Sequence, residues 1–336
     1  MSNIKQIFVI GSSRSGTTMM GRILGNHHDV FTFKELHFFG TIWTNSSNKN
    51  LNKQQQIQLL ARLLCIQEQG IFNQKNTADF IQKASEILIE NVNNPLAIYE
   101  LFLTTITAEN KATISCEQTP KNLYYLDEIL NFFPDAKVIN MVRDQRDVLL
   151  SQKNKWKRKF LGASKIPLSE VIRSYVNYHP ITTAKVWCSS LAYTTKYMYN
   201  DRVKIVKFEG LLSNSEQTIK EICHFLDIEF QTTMTKVPVI GSSTESDSKT
   251  KFDIDNTKKQ KWKSGGLTLA EIYLSQRIAA KMMDLFKYEK KQFVFPPTLI
   301  VFYLFTFPFK LLLAFFLNIN RIGNFAEMIK KRFALK

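Results

Sequence analysis

The chain has 336 residues, with 45 lysines and arginines against 29 acidic residues and a net charge of +16. That length buries a substantial core in one large or two ordinary domains, and the charge favours an anionic partner: nucleic acid, acidic lipid, acidic polysaccharide or a polyanionic nucleotide. Cys65, Cys116, Cys188 and Cys223 lie far apart without a CxxC pair, which excludes a short-spaced cysteine metal site and predicts buried free thiols in a reducing cytoplasm.

The chain opens into the strand-forming run "IKQIFVIG", with no signal-peptide core ahead of it. "GSSRSGTT" (Gly11 to Thr18) follows, and then the helix-like "MMGRIL". Its outer glycines have the spacing of a GxxxxGK[ST] phosphate loop, but Thr17 stands at the lysine position. A glycine-flanked turn between strand and helix aims backbone N–H groups and the helix dipole at one spot, which makes an anion site, and Arg14 is the cation within the loop.

Further strand runs, "DVFTF", "ATISCE", "AKVINMV" and "RVKIVKF", alternate with helical stretches. The alternation predicts an α/β fold with a central parallel sheet and crossover helices on both faces. Residues 41–110, rich in Gln and Asn, read as a helical cap rather than a separate domain. A second helical insertion at about 153–200 begins with "KNKWKRKF", which either steers an anionic acceptor or docks on lipid headgroups, with Trp156 stacking on a sugar, or is a solvated basic face. "SNSEQTIKEICHFLDI" places Ile219, Ile222, Cys223 and Leu226 on one helical face. Residues 241–261 read as a long polar loop, and "LTLAEIYLSQRIAAKMMDLF" as the helix that closes the globular part.

From Phe293 to Leu317 nearly every residue is apolar, close to the length that spans a bilayer. Pro296-Pro297 and Pro308 break the run, Lys310 lies inside it and basic residues flank both ends, a pattern unlike a simple single span. Ile322, Phe325, Ile329 and Phe333 share one face, with Arg321, Lys330 and Lys331 elsewhere, as in an interfacial helix. The expected organisation is a catalytic domain over residues 1–290 and a membrane-associating tail over 291–336. The tail would attach peripherally or monotopically to an anionic surface at the cytoplasmic membrane face. A single span and a soluble apolar oligomer contact are the alternatives.

"RSGTT" after a first strand resembles the 5'-phosphosulfate loop of sulfotransferases that use 3'-phosphoadenosine 5'-phosphosulfate (PAPS), of the carbohydrate, tyrosyl-protein and bacterial types. The resemblance runs in the same motif order from about Ile4 to Tyr288. It implies a P-loop-like three-layer fold in which Arg14, Ser15, Gly16, Thr17 and Thr18 hold the 5'-phosphosulfate. "VINMVRDQRDVLLSQ" resembles the 3'-phosphate element and carries that role to Arg143 and Ser151. "VKFEGLL" places Phe208 where the family has tyrosine, keeping an adenine-stacking ring without the hydroxyl. "KKQKWKSGGLTLAEI" resembles the late basic loop, with Lys261 and Lys263 as phosphate contacts and Trp262 packing.

"CEQTPKN" resembles the family's acidic-Lys-Thr-Pro element but has Gln118 where lysine is usual. Gln118 can donate a hydrogen bond to the leaving group without neutralising its charge, and Lys121 and Lys34 are the candidates to supply that charge. "FKELHFFG" resembles the stretch that supplies the catalytic base, so Glu35 is the expected base. His37 either orients Glu35 or contacts acceptor, or is a packed core histidine.

The resemblance implies metal-free sulfuryl transfer from PAPS to a hydroxyl, with an amine as second choice. The apolar tail points to a lipid, glycolipid or lipid-linked saccharide acceptor. The competing readings are an ATP-dependent P-loop kinase and a non-catalytic membrane-associated nucleotide-binding protein. Nucleic acid is not an expected partner, because the basic residues are spread over loops and tail without a reading motif.

Overall fold

The computed structural model describes residues 4–45, 50–89, 92–240, 242–243, 246–252, 254, 258–319, 327 and 331. The expected interfacial segment at 321–333 therefore lies outside the described residues, apart from Glu327 and Lys331.

Each of the five strand runs forms a strand: β1 (Lys5–Gly11), β2 (Val30–Thr32), β3 (Ile114–Glu117), β4 (Lys137–Val142) and β5 (Val203–Lys207). They make one parallel sheet in the order β2-β3-β1-β4-β5. Along β1, Phe8 and Ile10 enter the core on one face while Ile7 and Val9 enter the core on the other. Burial on both faces is what a sheet of parallel crossovers requires.

The first crossover holds α1 (Thr17–Gly25), and the 41–110 insertion supplies α2 (Lys53–Gln69), α3 (Ile81–Ile87) and α4 (Pro95–Glu109). A reciprocal capping box with Asn52 and Gln55 starts α2, and the Asn94 side chain caps α4. Leu60, Leu64, Tyr99 and Phe102 of this insertion share one core with Phe8, Phe33 and Phe38, so the cap packs into the sheet.

Next come α5 (Leu126–Phe132), α6 (Gln145–Lys153), a 3₁₀ segment at Lys155–Leu161, α7 (Leu168–Asn177) and α8 (Pro180–Lys196). After β5 the chain turns directly into α9 (Phe208–Ser213) and α10 (Ser215–Leu226), whose Ile219, Ile222, Cys223 and Leu226 are buried as a set. The stretch expected to be only loop contains β7 (Ser248–Phe252), which pairs antiparallel with β6 (Pro238–Val239). The run "SDSKTKF" alternates polar residues with almost no apolar ones, so no core-facing period marked it as a strand.

A capping box formed by Thr268 and Glu271 starts α11 (Leu269–Leu285), which packs on α8. The tail forms α12 (Ile300–Asn318), with Pro308 inside it rather than breaking it. Pro296 and Pro297 precede the helix, and the Pro297 carbonyl accepts from Ile300 N at its start. By length and composition α12 is apolar enough to cross a membrane, with a mean hydropathy of 2.2.

Candidate active site

In an open parallel sheet, all strands end on one edge, and a crevice forms where neighbouring connections leave in opposite directions. Here β1 is flanked by β3 on one side and β4 on the other, so the loops after β1 and β4 open such a crevice. Arg14, Gly16, Thr17, Thr18, Arg143, Ser151, Phe208, Lys261 and Glu35 of the expected set all line it.

The loop after β1 is shaped by its glycines. Gly11 has φ +147, and a Cβ there would sit 2.3 Å from the Met141 carbonyl oxygen. Gly16 caps α1 with φ +98, and a Cβ would meet the Phe208 ring at 2.4 Å. Arg14 adopts a left-handed φ of 71 without being glycine, a strained conformation of the kind that collects at working sites. The first turn of α1 contains no acidic residue, and Thr17, Thr18 and Met19 present it to the crevice. Its N–H groups lack intrahelical acceptors and favour an anion.

Arg14 Nε donates to Ser151 Oγ at 2.8 Å and Nη2 to Ser243 Oγ at 2.6 Å. Arg143 Nη1 donates to the Arg14 carbonyl at 3.3 Å, and its guanidinium lies 4.4 Å from the Phe208 ring centroid. Phe208 is only 5% exposed, wedged between Gly16 and Arg143, so its ring braces Arg143.

The crevice concentrates positive charge. Burial, then the charges of Arg143 and Arg158, push Arg14 down to about 10. Burial, then Arg14 and Arg173, push Lys155 down to about 8, with Glu35 and Glu170 opposing. Burial also lowers Arg143, against Asp147, Glu209 and Asp144. Cations held together at this cost are relieved by a polyanion.

Glu35 stands at the rim, with 37% of its side chain exposed and His37 Nε2 at 3.3 Å. Burial raises its carboxyl, but the His37 hydrogen bond and the charges of His37, Lys155 and Arg14 outweigh that and hold it below the usual glutamate range. His37 has φ +51, and its N–H donates to Thr119 Oγ1 at 3.2 Å. Buried Glu117 accepts from Leu36 N at 3.4 Å and from the Thr119 and Asn122 side chains. The segment carrying Glu35 is thus fastened to the end of β3.

Several expected residues fall elsewhere. Gln118 does not line the crevice: its Nε2 donates to Phe33 O at 3.3 Å, and its amide fits against Gly21, where a Cβ would lie 3.1 Å away. Its place is therefore a packing position between β3 and α1. The Ser15 side chain turns inward to the Ser12 carbonyl and is fully buried. Lys263 lies beside the Trp262 ring, in a separate groove with Leu267, Ile272 and Lys291. Asp147 accepts from Gln260 N at 3.1 Å and Trp262 N at 3.0 Å, a staple that sends Lys261 to the crevice and Lys263 away from it. Lys34 Nζ donates to Glu68 O at 2.7 Å, and neither Lys34 nor Lys121 is among the residues lining the crevice.

Lys155, Lys258 and Ser243 line the crevice without having been singled out. The first two belong to the basic runs "KNKWKRKF" and "KKQKWK", where composition marks a charged stretch but not which member turns inward. Nothing in the sequence around Ser243 distinguishes it.

A family model described as "Sulfotransferase family" matches residues 6–232, more than half of the chain. The chain belongs to the sulfotransferase family. A Drosophila melanogaster relative of this sulfotransferase, "Protein-tyrosine sulfotransferase", is 24% identical over 228 residues. The match takes in 66% of this chain and 38% of the relative, so the chain spans well under half of that protein's length. The sulfotransferase domain from the curacin biosynthetic pathway superposes with a TM-score of 0.53 at 20% identity, over 87% of this chain and 99% of that domain. The sulfotransferase domain of the Synechococcus PCC 7002 olefin synthase gives a TM-score of 0.51 at 19% identity, over 87% and 98%. Both show that this sulfotransferase shares their fold.

Proposed function

We propose that the chain transfers the sulfuryl group of PAPS to a hydroxyl of a membrane-presented lipid, glycolipid or lipid-linked saccharide. One observation carries the reading: the Glu35 carboxylate shares a single crevice with Arg14, Lys155 and Arg143. A base beside an acceptor space, facing cations grouped around a helix N-terminus, is what in-line transfer from a phosphosulfate needs.

The acceptor oxygen attacks sulfur, and the bond from sulfur to the bridging oxygen breaks. That oxygen keeps the electron pair and leaves as part of 3'-phosphoadenosine 5'-phosphate, while Glu35 takes the acceptor proton. Arg14 and the first turn of α1 hold the 5' end, and Arg143 with Ser151 holds the 3'-phosphate. Lys155 meets charge developing on the bridging oxygen, the task left open by glutamine at position 118. Lys258 and Lys261 add positive charge at the rim. Family membership supports the donor, and the crevice chemistry supports these roles.

Residues 1–290 serve as the catalytic domain, and 291–336 attach it to the cytoplasmic membrane face through α12. The apolar length of α12 supports attachment, and four free cysteines are compatible with the reducing cytoplasmic side.

Calorimetry with 3'-phosphoadenosine 5'-phosphate, adenosine 5'-monophosphate and ATP tests the donor, and labelled PAPS incubated with lipid and saccharide fractions tests the acceptor. Binding that requires both the 3'-phosphate and Arg143, with label entering lipid, is expected. Indifference to the 3'-phosphate in folded protein would defeat the assignment.

A further inference from the structure

The helix α7 turns Val171 inward but carries an apolar row on its outer side. Its charged pair Glu170 and Arg173 turns toward the protein, with Glu170 only 3% exposed. Its apolar row faces outward: Leu168 is 61%, Ile172 52% and Tyr175 58% exposed. These residues recur at the helical spacing that in a soluble protein marks the buried face. An outward apolar stripe of this kind marks an interaction surface.

The row is continuous with α12. The tail helix lies along α7, held by polar contacts: Arg173 Nη1 donates to Asn318 Oδ1 at 2.9 Å, Asn318 Nδ2 to Asn177 Oδ1 at 2.8 Å, and Lys310 Nζ to Tyr178 O at 3.3 Å. The residues it turns to the protein include Tyr303, Thr306, Lys310 and Asn318, whereas Phe302, Phe305, Phe309, Leu312 and Phe316 on its other side are exposed. Lys310 sits over the Tyr175 ring at 5.1 Å, Tyr175 meets Trp156 at 6.1 Å, and Trp156 meets Phe160 at 6.4 Å. This chain of contacts passes through Trp156, the sequence neighbour of Lys155 in the crevice.

We propose that the outer face of α7, with Trp156 and Phe160, is a membrane contact continuous with α12. The Lys155 side of the crevice then opens at the surface of an anionic bilayer and receives its acceptor from there. The inference rests on the membrane attachment proposed above and adds an orientation: α12 lies along the surface beside α7 and does not span. A span would draw the charged α7 turn and its neighbours into hydrocarbon. Charge selects the bilayer over a second copy of the chain. Lys157 and Lys165 stand exposed around the apolar row, and they attract anionic headgroups but repel another protein of charge +16.

Trp156 provides the probe. Of the four tryptophans, Trp43, Trp187 and Trp262 are buried and Trp156 is not. The 336-residue chain is mixed with vesicles of phosphatidylcholine and phosphatidylglycerol carrying brominated acyl chains, and flotation is scored alongside tryptophan quenching. Quenching that disappears in Trp156→Phe is expected. It should fall at least several-fold in a Leu168→Asp/Ile172→Asp variant that still binds 3'-phosphoadenosine 5'-phosphate. Flotation without Trp156 quenching overturns the orientation while leaving attachment through α12 intact. Failure to float overturns the attachment and this inference with it. A dimer in light scattering that shields Trp156 without vesicles assigns the face to a second copy and also overturns it.

Discussion

Arg14 Nε donates a 2.8 Å hydrogen bond to Ser151 Oγ, joining the loop after β1 to α6 across 137 positions of sequence. The same guanidinium reaches Ser243, so one side chain connects three segments at the crevice. An anionic donor must compete with both hydroxyls for Arg14. Arg14→Ala should lower kcat by about 10²–10³-fold, as loss of a preorganised charge-stabilising donor does. Ser151→Ala should weaken donor binding by roughly tenfold, the scale of one hydrogen bond to a charged group. Steady-state kinetics with PAPS would measure the first and calorimetry with 3'-phosphoadenosine 5'-phosphate the second; an active Arg14→Ala would remove Arg14 from the mechanism.

Lys155 is held down to about 8 and must be protonated to meet negative charge. It is cationic below that value and neutral above it, so kcat/KM, which reports the free enzyme, should fall as pH rises through about 8. Bound donor favours the cation, so the kcat limb should lie at higher pH. Lys155→Arg should abolish the alkaline limb while retaining partial activity. On the acid side Glu35 stays ionised below the usual glutamate range, so no loss attributable to it is expected between neutrality and its ordinary value. Parallel pH–rate profiles of wild type and Lys155→Arg would check both limbs; identical alkaline limbs would clear Lys155 of the role.

The sheet and the crevice were largely legible in the sequence, and the reasons are local. Each strand run combined β-branched residues with flanking turn signals, and Gly11 and Gly16 advertised a turn that only glycine tolerates. Arg143 and Ser151 were named through the resemblance of their motif, and both line the crevice. Lys155 was not: which lysine of a basic run turns inward is set by tertiary packing, and the crevice it enters is built by Arg14 and Glu35, each more than a hundred positions away. Gln118 misled in the opposite direction, since its position in a motif gave no sign that Gly21 makes room for its amide. β7 escaped because its pairing with β6 leaves no apolar face to announce it.

Gly16→Ala should be severe. The added Cβ would lie 2.4 Å from the Phe208 ring in a φ +98 conformation that L-residues rarely adopt. A stability loss of about 2–4 kcal/mol is expected, combining backbone strain with overpacking. Urea unfolding would measure it, and a midpoint equal to wild type would show that the loop accommodates a side chain.

Glu117 gives a pH signature of stability. Burial pushes its carboxyl up to about 7, against the hydrogen bonds from Thr119 and Leu36. A group whose folded value is raised contributes stability that is complete below its unfolded value and is lost as pH rises through the folded one. Wild type should therefore lose stability as pH rises from about 4.5 to about 7, relative to Glu117→Gln. Denaturation midpoints at the two ends of that window would show it. Parallel curves would mean that Glu117 is ionised throughout.

The Phe208 ring, filling the gap between Gly16 and Arg143, works as a spacer bar. It keeps the turn at the head of α1 and the arginine at the end of β4 at a set separation that neither element could hold alone. On the proposed reading, a donor with two anionic groups would have to match that separation. Shaving the ring to leucine should relax that spacing, so that nucleotides with differently placed phosphates compete better with 3'-phosphoadenosine 5'-phosphate than they do in wild type.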